Sequence, residues 1–294
     1  MKCKPTLGPS FQQAIESILV KVQHENWIPR LWNKDASLWS TDPQTQQKIA
    51  HRLGWMDILG LRDSFENEIL SFHQKRLSKN FSDMILLGMG GSSLAGEVFA
   101  SMTQQRDLSF HMLDTSDEDR IRRTFDLVDA SKVLILVGTK SGTTIETKHL
   151  LCYAKSLGIK SQQCVAITDA GSALEHEANY ENFLHCFVNP GDIGGRFSAL
   201  SFFGLVPAYL CGLSIPKIFT HAQRMINLCQ TGRSLKPCPD VGSGSSGSFI
   251  KEVCLQNEGH HVQKHGNICI LVGTIARREF WKGKKGYSSF FFYG

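Results

Sequence analysis

No stretch of this chain stays apolar for the roughly 20 residues that a membrane-crossing helix requires. The opening MKCKPTLGPS leads into an amphipathic pattern, with no apolar core of a secretory signal. Both absences point to a soluble, cytoplasmic protein without a membrane partner. No two cysteines are spaced C-x-x-C. The nine cysteines are odd in number and dispersed, and Cys164, Cys186, Cys211 and Cys269 sit in apolar runs. They read as small buried hydrophobes in a reducing compartment, not as a disulfide framework or zinc ligands. Lysine and arginine form no stripe apart from the short WKGKKG near the end, and the net charge of +5 is mild. A solvated basic tail accounts for that stretch, and no nucleic-acid partner is expected. There is no internal repeat.

What is present is an ordinary globular composition of 294 residues, 41% hydrophobic and 20% charged, enough for one large or two modest domains. Residues 1–80 read as a helical segment. In SFQQAIESILVKV, Phe11, Ile15, Ile18 and Leu19 share one face behind Ser10, a candidate N-cap. Pro29 breaks the pattern in NWIPRLW. Asp42 and Pro43 start a second helix, and a third is expected around 63–76.

From residue 84 the rhythm changes. Short apolar runs at 84–88, 109–114, 132–138, 164–169 and 183–189 alternate with helical patterns at 92–105, 115–128 and 144–157. Thr115 or Ser116 is the expected cap of the middle helix, ahead of acidic first-turn residues. Four of the strands are too uniformly apolar to have a wet face. The alternation predicts an α/β fold with a doubly wound, parallel five-stranded sheet. One long helix, kinked at Pro207, is expected from SALSFFGLVPAYLCGL. The reading therefore divides the chain into the helical segment 1–80, a sheet domain at 81–230, a Pro/Gly/Ser-rich linker at 231–247 and a fragment of a second α/β unit at 248–294, with one strand at 267–273.

Three unusual loops fall at or near strand ends, where open parallel sheets bind ligands. They are GMGGSS at 88–93, GTKSGTTIET at 138–147 and NPGDIGGRFS at 189–198. Glycines there let the backbone turn and approach a ligand closely. Hydroxyls and N–H groups of Gly91, Ser92, Ser93, Thr139, Ser141, Thr143 and Thr144, with the charge of Lys140, suit a phosphate monoester. A dinucleotide is the alternative. Gly88 and Gly90 fit G-x-G-x-x-G and Asp114 stands where a ribose-binding acid would, but the third glycine is Ser93. Arg196 either clamps a carboxylate structurally or steadies negative charge on a substrate.

Together the three loops resemble glucose-6-phosphate (phosphoglucose) isomerase and, more broadly, the SIS sugar-phosphate-binding domains. GMGGSSLAG resembles the family's first glycine–serine loop, TKSGTTIET its phosphate loop and GGRFS its catalytic-arginine motif. The segment LWNKDASLWSTDPQTQQKIAHRLGWMD resembles the stretch that opens the isomerase half of fused transaldolase/glucose-6-phosphate isomerases. The resemblance implies the SIS strand order, which is flavodoxin-like. It implies aldose–ketose isomerisation of glucose 6-phosphate and fructose 6-phosphate through an enediol, within glycolysis and gluconeogenesis. It implies no metal or organic cofactor, and a homodimer. Thr139, Lys140, Ser141 and Thr144 would hold the phosphate and Arg196 would act in catalysis.

The family's glutamate motif, E-S-x-G-K, is absent. The nearest echo is REFWKGKKG, which makes Glu279 the candidate base, with Glu252 and Glu258 behind it. His260, His261 and His265 carry no motif that ties them to ring opening or to a metal. The end YSSFFFYG and the missing motif suggest a truncated or frame-shifted C-terminal part, whose loss would cost the activity. A non-catalytic phosphosugar sensor and an NAD-dependent oxidoreductase are the alternatives.

Overall fold

A computed structural model describes residues 17–230, apart from 19 and 104–106. The linker at 231–247, the fragment at 248–294, and Ser10, Phe11, Ile15 and Leu19 of the expected first helix lie outside the described residues.

The described part of the N-terminal segment is mostly helical, and its boundaries have local causes. Helix α1 (Trp27–Trp32) contains Pro29, which the sequence reading took as a breaker. Pro29 sits in the first turn, where an N–H has no intrahelical acceptor to lose. Helix α2 (Pro43–Ala50) starts as predicted: the Asp42 carboxylate accepts from Thr45 N at 2.9 Å and from Thr45 Oγ1 at 2.6 Å. A 3-10 segment, Gly54–Leu61, leads into α3 (Arg62–Leu77). Phe65, Ile69 and Phe72 recur at helical spacing on α3 and are buried together.

The sheet then forms from β1 (Asp83–Gly88), β2 (Ser109–Leu113), β3 (Val133–Gly138), β4 (Cys164–Asp169) and β5 (His185–Asn189). Its order is β2-β1-β3-β4-β5, and every pairing is parallel. Side chains alternate across a strand, so each strand feeds two cores. Met84, Leu86, Leu134, Leu136, Val165, Ile167 and Phe187 face one side. There they meet Phe65, Ile69 and Phe72 of α3, and α8 (Phe202–Leu210), and Ile215 and Phe219 of α9 (Ile215–Gln230). Ile85, Leu87, Val133, Ile135, Val137 and Ala166 face the other side. That side is covered by α5 (Glu118–Asp126), α6 (Ile145–Ser156) and α7 (Ala173–Tyr180). Helix α4 (Leu94–Ser101) crosses on the first side, with Gly96 against Leu86 and Pro207. Burial on both faces explains why β1, β3 and β4 read as nearly unbroken apolar runs, whereas β2 and β5, at the sheet edges, are only partly buried.

Two expectations change. The cap of α5 is Asp117, not Thr115 or Ser116. Its carboxylate accepts from Arg120 N at 2.8 Å, while Thr115 Oγ1 accepts from Asp117 N at 3.0 Å and shapes the approach. The apolar stretch after 197 is not one helix. A 3-10 turn, Gly195–Leu200, is followed by Ser201 in extended backbone, and α8 starts beyond it. Asn189 Oδ1, from the end of β5, accepts from Phe202 N at 3.0 Å and so caps α8. Pro207 lies inside α8 without ending it. Helix α9 was not anticipated. The described cysteines are free thiols, and burial pushes Cys164 up to about 12 and Cys186 up to about 11.

Phe72 is fully buried, edge-on to Phe187 at 5.3 Å. Phe72→Ala is expected to cost about 3–5 kcal/mol in urea unfolding, because the helix–sheet contact cannot collapse around the void.

Candidate functional site

The strand order reverses direction between β1 and β3, which makes their C-terminal ends the switch point of the sheet. Gly88 and Gly138, the last residues of the two strands, are register partners. The loops at 88–93 and 138–144 therefore leave from the same edge, side by side. The third loop, 189–198, follows β5 on that edge.

Close backbone approach holds the first and third loops together. A Cβ on Gly91 would stand 2.4 Å from the Gly195 carbonyl oxygen, so only glycine fits there. Ser198 Oγ lies 2.7 Å from Gly195 O and 3.1 Å from Gly91 O, tying the same two stretches. The third loop is also braced from the N-terminal segment. Leu53 bridges to Ile193, Gly54 N donates to Asp192 O at 3.1 Å, and Trp55 stacks on Phe197 at 5.0 Å. The second loop is fixed by Gly142, at φ 70°, whose backbone lies against the first residues of α7.

These loops enclose a cleft of about 580 Å³, lined by Gly91, Ser92, Lys140, Ser141, Thr144, Asp169, Ser172 and Gly195 among others. Of the expected residues, Gly91, Ser92, Lys140, Ser141 and Thr144 thus come together. Thr139 is buried behind them, with its hydroxyl 2.9 Å from that of Thr144. Ser93 is buried and donates to Gly90 O. Thr143 pairs with Ser141, Oγ1 to Oγ, at 2.7 Å. Arg196 is exposed and is not part of the cleft lining, although Gly195 beside it is. Glu279, Glu252, Glu258 and the histidines at 260, 261 and 265 lie outside the described residues. Asp114 lies just past the end of β2 and faces Arg120 at 3.6 Å.

Lys140 does more than add a charge. Its Nζ lies 2.8 Å from Asp169 Oδ2, 2.6 Å from Ile193 O and 3.2 Å from Gly191 O. One ammonium thus joins the ends of β3, β4 and β5, and its three donors are all engaged. Asp169 and the turn after it, up to Ser172, are the part of the site that sequence reasoning missed. The signal was an acid closing the run CVAITD, on the same edge as the glycine loops. Ser172 Oγ accepts from Glu175 N as the cap of α7 and contacts Thr168 Oγ1 at 2.6 Å. Burial raises the pKa of Asp169 above the usual carboxylate value, and this outweighs the opposing pull of Lys140. Among the described residues, no group of three His, Cys, Asp or Glu side chains could hold a metal ion. None of the described helices is long and apolar enough to cross a membrane.

A carboxylate with a raised folded pKa favours the native state below its unfolded pKa and loses that benefit as pH climbs through the folded value. Removing the ammonium sharpens this. Lys140→Met is expected to lose about 1–3 kcal/mol in urea unfolding at pH 7, where Asp169 is left charged and unpaired. The loss shrinks as pH falls and Asp169 takes up a proton. A loss equally large at pH 4 would show that the pair does not govern it.

No family model matches the chain. It is similar to a probable glucose-6-phosphate isomerase of Methanococcus maripaludis, 28% identical over 195 residues, covering 63% of this chain and 43% of the relative. A glucose-6-phosphate isomerase of Synechococcus elongatus is 30% identical over 237 residues, covering 75% and 44% respectively. Among solved structures, a hypothetical protein from Thermus thermophilus shares the fold with a TM-score of 0.61 at 24% identity, covering 78% of this chain and 55% of that one. The chain spans less than half the length of these two curated relatives. Within that span, it is a relative of the glucose-6-phosphate isomerases.

Proposed function

We propose that the chain binds a sugar phosphate by its phosphoryl end in the cleft, and that it carries the phosphate-binding part of a glucose-6-phosphate isomerase. The observation that supports this reading is the meeting of Ser92, Ser141, Thr144 and Ser172 beside Lys140 in one small cleft. A phosphoryl group near neutral pH carries close to two charges and three acceptor oxygens. Thr144 occupies the N-cap of α6, but its side chain makes no cap hydrogen bond. The first N–H groups of that helix are then left for an anion, as at other helix N-termini.

Holding the phosphoryl end fixes where the other end of an open sugar chain lies, so binding energy far from C1 and C2 orients them. The reaction in this reading moves a proton between C1 and C2 through an enediol. A carboxylate takes it from one carbon and returns it to the other, with no metal or organic cofactor. Arg196 steadies the enediol oxygens and Glu279 is the proposed base. In this reading the sheet domain at 81–230 binds, and residues 53–55 of the N-terminal segment brace its third loop. A cytoplasmic location, a homodimer, and no membrane or nucleic-acid partner go with this reading. The exposure of Arg196, outside the cleft lining, favours a second reading: a phosphosugar-binding protein without turnover.

Calorimetry and a coupled assay with fructose 6-phosphate separate the two. Ser141→Ala and Thr144→Ala are each expected to weaken binding about tenfold, the worth of a hydrogen bond to a charged group. Arg196→Ala should leave binding nearly intact and abolish turnover. Binding without turnover in the parent chain selects the second reading. Affinity unchanged in both hydroxyl variants removes the phosphate site.

A further inference from the structure

An acid in an anion cleft is a contradiction unless it has a task. Asp169 lines the same cleft as Ser92, Ser141 and Thr144, its side chain is only 16% exposed, and its Oδ2 lies 2.8 Å from Lys140 Nζ. A doubly charged group placed there would meet a carboxylate at short range. It would also find Lys140, which lines the cleft, already engaged by that carboxylate and by two carbonyls.

Resting on the phosphate reading of the cleft, we propose that Asp169 competes with the incoming anion for Lys140, and that binding of a tetrahedral dianion is coupled to uptake of one proton by Asp169. The empty cleft holds a neutral ion pair. Adding a dianion alone would leave two net negative charges among partly buried groups, whereas taking a proton from solvent leaves one. The ammonium turns to the anion, and the neutral acid can donate its O–H to the same anion or to a neighbouring oxygen. Asp169 is thus a specificity-determining group: it sets the pH at which the cleft accepts a dianion.

The surroundings favour this assignment. Lys140 is the charged group that acts on Asp169, and burial already raises its pKa. From α7, Glu175 accepts from Gly171 N at 2.5 Å, within the turn that follows Asp169. From the third loop, Asp192 lies against Gly54. No histidine is among the described residues that line the cleft.

Sulfate is the discriminating probe, because it carries two charges and does not itself titrate in that range. The full chain is titrated with sodium sulfate at pH 6, 7 and 8, by calorimetry in buffers of differing ionisation enthalpy. The expected result is uptake of up to one proton per sulfate, with affinity falling by at most about tenfold per pH unit, the limit for one linked proton. Asp169→Asn should bind sulfate more tightly at pH 8, by about tenfold or more, without proton uptake. Sulfate bound by the parent chain with no proton uptake and no pH dependence overturns the proposal without needing the variant. So does an Asn variant that binds no better than the parent or still takes up a proton. Fructose 6-phosphate is run beside sulfate. Binding of the sugar phosphate with no proton linkage in the sulfate arm overturns the role of Asp169 alone. If neither the parent nor the variant binds either anion, the phosphate reading falls and this proposal with it.

Discussion

Gly91 and Gly195 bring two backbones into a contact that no side chain could share. The carbonyl of Gly195 occupies the space a Cβ at 91 would need, 2.4 Å away. That contact joins a loop from the centre of the sheet to one from its edge strand, across the two strands between them. The cleft depends on it, because the loops that carry its lining gain their position from how closely their main chains can pass. Ser198 then locks the two carbonyls, and Lys140 gathers the remaining strand ends. Small residues set the shape, and one ammonium with one carboxylate sets the charge.

The sheet beneath supplies rigidity rather than chemistry. β1 and β3 are buried on both faces by two separate cores, so their C-terminal ends cannot shift without disturbing helices on both sides. A loop anchored on such strands keeps its geometry more precisely than one on a half-exposed edge. The cost falls on Asp169, which is held at the end of β4 where burial disfavours its charge. Local destabilisation of this kind recurs where binding or catalysis needs a group whose ionisation can be moved.

Much of this was legible in the amino-acid sequence, for reasons that differ by element. The strands showed because burial on both faces leaves runs such as VLILVG without a polar residue. The loops showed because glycines and hydroxyls cluster where each run stops. Asp42 and Pro43 showed because an N-cap is a local signal. What stayed hidden is in part local ambiguity and in part tertiary in origin. Thr115, Ser116 and Asp117 are adjacent capping residues, and only the structure shows that Asp117 takes the cap while Thr115 accepts from its N–H. Pro29 is harmless only because its helix starts at Trp27. The pattern of 215–230 was passed over, yet α9 places Ile215 and Phe219 in the core below the sheet. The partnership of Lys140 with Asp169 spans 29 residues and two strand ends, and spacing alone carries no trace of it. Nor does spacing say that the side chain of Arg196 stays outside the cleft lining.

The brace between residues 53–55 and the third loop has a consequence for how the molecule can be dissected. Sheet domains invite a cut just ahead of their first strand, here near residue 80. Such a cut would spare all five strands and every residue lining the cleft, yet it would sever the bridge from Leu53, the hydrogen bond from Gly54 and the ring of Trp55 that leans on Phe197. It would also strip α3 from the core. The smallest autonomous unit therefore begins upstream of the sheet, and the helical prelude is a working part of the loop that ends more than a hundred residues later.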